Sequence, residues 1–373
     1  VTGIFEQKDM IMTELLYRSL SARKAVPSYW RRPGEQIYLH LGESPFPPTE
    51  SVQQAIRDAA SVVNYYPDTN AVALRDDLAG YVGHKVRPEQ IIVGNGSDDL
   101  IQLVVQTFLS KGGTVVSFEP TFFYYGFCTA REGERYAPMF RRRADRYNLP
   151  GMEEIHSHLQ KEKPDLVFLA NPNNPTGGLV DRQHVLQLLE WTPGILAVDE
   201  CYFEFAGLSV VDLIHEHENL IVLRSLSKSF SLAGVRIGYA VACRERIDAM
   251  ERMALTFPVN AIAQTAARAA LREIEIMRER IRQIVAWRKN LACELIRLGL
   301  DVFSSHTNFL LVCSGLLNEI PDDCALRLSE RGILVSDQTH TPGIEGTALR
   351  ITVGTPGQLE RLLQEIREFV TGN

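Results

Sequence analysis

The stretch Leu220–Tyr239, LIVLRSLSKSFSLAGVRIGY, opens on a short apolar run, Leu220 to Leu223, that reads as a buried strand. The run ends in Arg224 and a polar loop, Ser225-Leu226-Ser227-Lys228-Ser229. A second apolar run, Val235 to Cys243, follows, with Arg236 at its mouth. One lysine therefore stands among small hydroxyl residues between two buried strands, with an arginine shortly after it. A lysine held in such a place is partly desolvated, so its pKa falls and its free amine becomes usable. A free amine forms a Schiff base with a carbonyl. The serine hydroxyls and the arginine suit a phosphate. Amine and phosphate cradle together are what pyridoxal phosphate requires; a surface lysine in a polar turn is the plainer alternative.

Upstream, strand then helix repeats. Ile91–Val93 runs into Gly94-Asn95-Gly96-Ser97, with a helix from Asp98, and Thr114–Phe118 runs into Glu119-Pro120-Thr121. Leu166–Ala170 runs into Asn171-Pro172-Asn173-Asn174-Pro175-Thr176-Gly177, and Ile195–Val198 into Asp199-Glu200. Short, near-continuous apolar runs alternating with helices specify a parallel sheet covered on both faces. Such sheets bind ligands at the carboxyl ends of their strands, which is where these motifs fall.

Each motif carries its own chemistry. The turn before Asp98 offers N–H groups and a helix dipole to an anion. It is neither a Walker A loop nor a full GxGxxG fingerprint, so it does not suggest a nucleotide. Asp199 ends an apolar strand, where a carboxylate is costly unless a cation or a hydrogen bond meets it. A protonated pyridine nitrogen would serve; so would a nearby backbone or arginine. Tyr202 and Asn174 can hold a phenolic oxygen, or be a packing tyrosine and a turn asparagine. Arg350, inside the apolar run Ala348–Val353, wants a planar anion. A substrate carboxylate fits it bidentately, and a structural ion pair is the alternative.

Beyond Pro258 the pattern changes. Ala261–Leu298 is largely helical, and Leu300–Phe303, Asn308–Val312, Ile333–Val335 and Leu349–Val353 are short strands. Helices at Asp322–Arg331 and Gln358–Val370 separate them. The expected organisation is an N-terminal arm over residues 1–45, a large cofactor-binding domain over 46–257 and a smaller α/β domain over 258–373. Met10–Leu20 suits one amphipathic helix in the arm. Ile37–Leu41, Ser51–Ala60 and Leu74–Tyr81 read as strand, helix and helix.

The totals bound the function. The 373 residues carry a formal net charge of -7, with 45% hydrophobic and 23% charged residues. No long basic stripe appears, which argues against nucleic acid, and no apolar run is long enough to span a bilayer. The start lacks a signal pattern. Six cysteines without CxxC spacing read as reduced thiols in a cytoplasmic protein, and no metal-binding array is present.

Taken in order, GNGSDDL, the Pro120-Thr121 turn, NPNNPTG, VDECY, SLSK…R and LRITVGT form one pattern. It resembles the class I/II, fold-type I aminotransferases dependent on pyridoxal phosphate, and within them the histidinol-phosphate aminotransferase branch. NYYPD, VNAIAQTA and TNFLLV add to the likeness, which runs from about residue 37 to the end. The resemblance implies an α/β fold, with a mostly parallel, seven-stranded type of sheet between helices in the large domain. It implies that Lys228 bonds to the cofactor aldehyde and later moves the substrate Cα proton. Asp199 pairs with the pyridine nitrogen, and Tyr202 and Asn174 contact the phenolic oxygen. Ser225, Ser227, Arg236 and the Ser97-Asp98 helix start hold the phosphate. Phe122 stacks on the ring, Arg350 binds the α-carboxylate, and Tyr66 reaches the phosphate of a partner subunit, so the unit is a homodimer. Tyr29 is a further substrate contact.

Three departures bear on the substrate. The branch usually shows Asn-Glu-Asn-Pro where this chain has Gly42-Glu43-Ser44-Pro45, and a tyrosine where Phe122 stands. It commonly places an arginine for the substrate phosphate where this chain has Ser336. The implied reaction is amino transfer between glutamate/2-oxoglutarate and histidinol phosphate. An aromatic or specialised amino acid is the alternative, then a lyase similar to threonine-phosphate decarboxylase. An aminotransferase-like transcriptional sensor needs an added DNA-binding module, for which about 35 leading residues are too few.

Overall fold

The computed structural model describes residues 36–315 and 317–371. Tyr29, the Met10–Leu20 expectation and most of the expected arm lie outside them. The strands are β1 (Ile37–Leu39), β2 (Ile91–Gly94), β3 (Thr114–Val116), β4 (Phe118–Glu119), β5 (Arg135–Tyr136), β6 (Met139–Phe140), β7 (Leu166–Ala170), β8 (Ile195–Asp199), β9 (Leu220–Ser225), β10 (Gly238–Ala242), β11 (Asp301–Val302), β12 (Phe309–Cys313), β13 (Ile333–Asp337) and β14 (Ala348–Thr352). The helices used below are α1 (Ser97–Phe108), α2 (Tyr124–Arg131) and α3 (Ile274–Arg297).

A seven-stranded sheet has the order β2-β10-β9-β8-β7-β3-β5. It is parallel except for β10, which runs antiparallel to both of its neighbours. Period-two alternation splits its side chains between two cores. Phe168, Ala170, Ala197, Ile221 and Leu223 pack with Leu100, Ile101 and Val104 of α1 and Tyr125 of α2. Val167, Leu169, Val198, Leu220 and Val222 pack into the opposite core with Ile155, Leu159, Val185 and Leu188. Both faces are covered, so the strands read as unbroken apolar runs.

A second sheet, β1-β13-β14-β12-β11, holds the C-terminal strands with β1 added in parallel at its edge. Residues 40–42, which leave β1, pass between the two sheets.

Two strand expectations need correction. The run Val235–Cys243 is not strand throughout: a 3-10 turn covers Ala233–Val235, and pairing begins at Gly238. Arg236 adopts φ +60°, which turns it out of the sheet toward α1. Thr114–Phe118 breaks at Ser117, after which β4 pairs with β6 in a separate two-stranded sheet. Apolar content alone does not distinguish a continuous strand from one that changes partners.

On the face opposite Asp199, a polar cluster locks β8 to β9. Arg224 donates from Nε (3.0 Å) and Nη2 (2.9 Å) to Glu200 Oε2, with both residues buried. Nη2 also reaches Ser209 Oγ at 2.7 Å, and the guanidinium carbon lies 3.7 Å from the Phe203 ring centre. Glu204 sits beside this pair, accepting from Tyr81 at 3.2 Å, with Ser229 also beside it and Oε2 shut from solvent. Burial pushes its carboxyl up to about 7, against the nearby Arg224 charge. Between its ordinary value and that point the folded chain keeps a proton that the unfolded chain has lost, so stability falls as pH rises. Glu204→Gln is therefore expected to be more stable than the parent at pH 8, by about 1–2 kcal/mol. The gap closes below pH 5, and urea unfolding at the two pH values checks this.

Candidate active site

The chemistry collects where β2, β7, β8 and β9 end and β10 begins. Because β10 is antiparallel, its start lies at the same edge as the carboxyl ends of the others. Lys228 follows β9 by three residues. Its ammonium nitrogen donates to Leu41 O at 2.9 Å and lies 5.9 Å from the Tyr202 ring centre. Burial, and then the positive Arg350 nearby, lower its pKa. Both effects favour the neutral, nucleophilic amine.

Asp199 closes β8. Its Oδ2 accepts from Tyr125 OH at 2.7 Å and its Oδ1 from Cys201 N at 3.0 Å. Burial holds the carboxyl above its ordinary range in spite of these bonds. The hydrogen bonds from Cys201 and Tyr125 offset that burial only in part, and the nearby Asp98 charge adds to it. A buried acid raised by desolvation is suited to a cationic nitrogen.

At the other end, α1 begins at Ser97 after Gly96, which has φ +85°. Arg236 Nη2 donates to Asp98 Oδ2 at 3.1 Å. A Cβ on Gly96 would come 2.4 Å from that same Nη2, so only glycine lets the guanidinium lie against the turn. Ser225 and Ser227 are buried, with Ser227 N donating to Ser225 Oγ at 3.1 Å. Two hydroxyls, a guanidinium and a helix N-terminus are suited to a phosphate.

Arg350 is tied down within the protein. Nη1 donates to Asn174 Oδ1 at 2.5 Å and Nη2 to His40 O at 2.6 Å, while its buried Nε has no partner among the described residues. Asn174 thus meets Arg350, where the sequence suggested a contact beside Tyr202. The two other asparagines of the loop hold its shape. Asn171 bonds Val180 in both directions, and Asn173 bonds Pro120 O, Thr121 and Thr176. Phe122 is half-buried, edge-on to Tyr125 with ring centres 5.8 Å apart.

Residues 40–42 join the two halves of the site, a role not evident from the sequence. Gly42 N donates to Thr352 Oγ1, and Asn308 Nδ2 donates to Gly42 O, each at 2.9 Å. Asn308 Oδ1 is buried without a partner among the described residues. Gly42 has φ +65°, and a Cβ there would lie 3.3 Å from Tyr202 OH and 3.5 Å from Lys228 Nζ. The glycine that departs from Asn-Glu-Asn-Pro is thus at the centre of the site. Tyr66 is not: it is 82% exposed and stacks on Phe257 at 4.5 Å.

A family model, "Aminotransferase class I and II", matches residues 34–366. The chain belongs to this family. As a class I and II aminotransferase it is an enzyme of the transaminase type. A histidinol-phosphate aminotransferase from Thermoanaerobacter sp. (strain X514) is 39% identical over 335 residues, covering 89% of this chain and 92% of that protein. The histidinol-phosphate aminotransferase from Sinorhizobium meliloti, solved in complex with pyridoxal-5'-phosphate, aligns with TM-score 0.78 at 26% identity, covering 90% and 91% of the two chains. An L-threonine-O-3-phosphate decarboxylase from Porphyromonas gingivalis aligns with TM-score 0.76 at 23% identity, covering 89% and 99%. That last match speaks to the fold alone, so the fold does not separate amino transfer from decarboxylation.

Proposed function

We propose that this aminotransferase binds pyridoxal phosphate and moves an amino group between an amino acid, glutamate in the first instance, and a second amine such as histidinol phosphate. The observation that carries this reading is the convergence of a half-buried amine of lowered pKa, a buried carboxylate held by hydrogen bonds rather than by an ion pair among the described residues, and an arginine at a glycine-rich helix start. When bound, pyridoxal phosphate supplies an aldehyde for amines and a ring that takes up electrons from the substrate. Asp199 would hold its ring nitrogen. Arg236, Ser225, Ser227 and the Ser97-Asp98 turn would hold its phosphate. Phe122 would cover the ring, and Tyr202 would meet the phenolic oxygen.

The protein's own groups do the rest. Lys228 would anchor the cofactor covalently; once freed, its Nζ would take the substrate Cα proton and pass it to the cofactor's former aldehyde carbon. Arg350 exchanges Asn174 and His40 O for the substrate carboxylate. The active unit is a homodimer in the cytoplasm. Tyr65, Tyr66, Leu255 and Phe257 expose apolar surface that a second copy would cover.

Ser336 favours a second reading of the acceptor. It lies opposite Arg350 across β13 and β14, and its hydroxyl accepts from Gln338 Nε2 at 2.8 Å. A neutral pair at this position suits an aromatic or other specialised amino acid. The test is to load the protein as pyridoxamine phosphate and offer 2-oxo acids and imidazole-acetol phosphate. Fastest return of the aldehyde spectrum with imidazole-acetol phosphate supports the first reading; fastest return with an aromatic oxo acid supports the second. Carbon dioxide release without consumption of an oxo acid would overturn both.

A further inference from the structure

We infer that Tyr125 is a positioning residue whose hydroxyl aims the Asp199 carboxylate at the cofactor's ring nitrogen; this rests on the pyridoxal phosphate reading above. Tyr125 is fully buried and held on several sides. Its ring lies flat on Phe168, with centres 4.7 Å apart and planes at 5°, and meets Phe122 edge-on. Its own carbonyl accepts from Thr129 Oγ1 at 2.8 Å, fixing the backbone of α2 beneath it. A tyrosine so confined has one direction for its hydroxyl, and at 2.7 Å that direction is Asp199 Oδ2.

The consequence falls on Asp199. Tyr125 holds Oδ2 and the Cys201 N–H holds Oδ1, with the Cys201 thiol a further partner of the carboxylate, so donors on both oxygens resist its rotation about the Cβ–Cγ bond. Each oxygen keeps a lone pair for a further donor. Without the Tyr125 hydroxyl, Oδ2 loses its 2.7 Å donor, and the carboxylate is freer to turn. Because Glu200, the residue after β8, is locked to Arg224 on the other face, the strand end itself stays in place. The loss is then one of aim rather than of fold.

Tyr125→Phe removes the hydroxyl and keeps the stacked ring. The measurement is the affinity of the cofactor-free protein for pyridoxal phosphate and for 1-deazapyridoxal phosphate, whose ring carries carbon in place of nitrogen. Y125F is expected to weaken pyridoxal phosphate about tenfold, the scale of one charge-assisted hydrogen bond. The deaza analogue should change less than twofold, because it makes no bond to Asp199. Adding Y125F to Asp199→Asn should leave the ratio of the two affinities within about twofold of D199N alone. That pair leaves no buried carboxylate short of a donor, so it carries the test even where Y125F by itself is unstable. Equal weakening of both ligands by Y125F, no weakening of either, or a further change of the ratio in D199N would overturn the inference. A parent protein that binds pyridoxal phosphate while Y125F behaves in one of these ways sinks the Tyr125 role alone. A parent that does not bind it sinks the cofactor reading as well.

Discussion

Lys228→Ala is expected to lower turnover by at least about 10⁴-fold while the protein still folds. The lysine has two tasks, covalent anchor and proton carrier, and no other amine approaches Tyr202 and Leu41 in its place among the described residues. Its removal costs the fold little. Among the described residues the side chain makes one hydrogen bond, to a backbone carbonyl, and a half-buried ammonium beside the positive Arg350 is itself unfavourable. Unchanged near-ultraviolet circular dichroism and a melting temperature within a few degrees would establish the fold. Spectral titration would then show pyridoxal phosphate bound without a borohydride-trapped adduct. Turnover above about one per cent of the parent's would remove Lys228 from its role.

Arg350→Ala is expected to lower kcat/KM for glutamate by about 10²–10³-fold, with most of the change in KM. The guanidinium is half-buried and already carries two oxygen partners that a carboxylate would replace. Arg350→Lys keeps the charge but not the fork, and should recover only part of the loss. A second consequence is independent of substrate. The Arg350 charge helps to lower the Lys228 pKa, second to burial. In R350A the amine should hold its proton to higher pH, and the pH dependence of its capture of pyridoxal phosphate should move upward. A glutamate KM equal to the parent's would show that the carboxylate is bound elsewhere.

Much of this arrangement is legible in the residues. Leu166–Ala170 and Ile195–Val198 read as buried strands because apolar side chains on both faces mark a sheet covered on both sides, and the structure has them so. The seven-stranded, mostly parallel sheet agrees with the expected fold class. Lys228, Asp199, Ser225, Ser227, Arg236, Ser97 and Asp98 stand out because each is polar at the end of an apolar run, and those runs end at one edge of the sheet. Other features have no such mark. Tyr125 looks like one more ring in Phe122-Phe123-Tyr124-Tyr125, since nothing local says which hydroxyl turns inward. Asn171, Asn173 and Asn174 are alike as letters, yet two of them hold a turn and one meets Arg350.

Local chemistry is therefore what the chain determines by itself. Hydrophobic period sets strand against helix, and a polar residue after an apolar run sets which side chains gather at the sheet edge. That level of order needs only near neighbours in sequence. Bringing His40, Leu41 and Gly42 between Lys228 on one sheet and Asn308, Arg350 and Thr352 on the other is a different matter. These contacts join residues up to 310 positions apart, and backbone carbonyls that carry no side-chain identity accept three of the four bonds. Only the packing of the two sheets places them, because a carbonyl acquires a role only when the fold sets it before a particular amine or guanidinium.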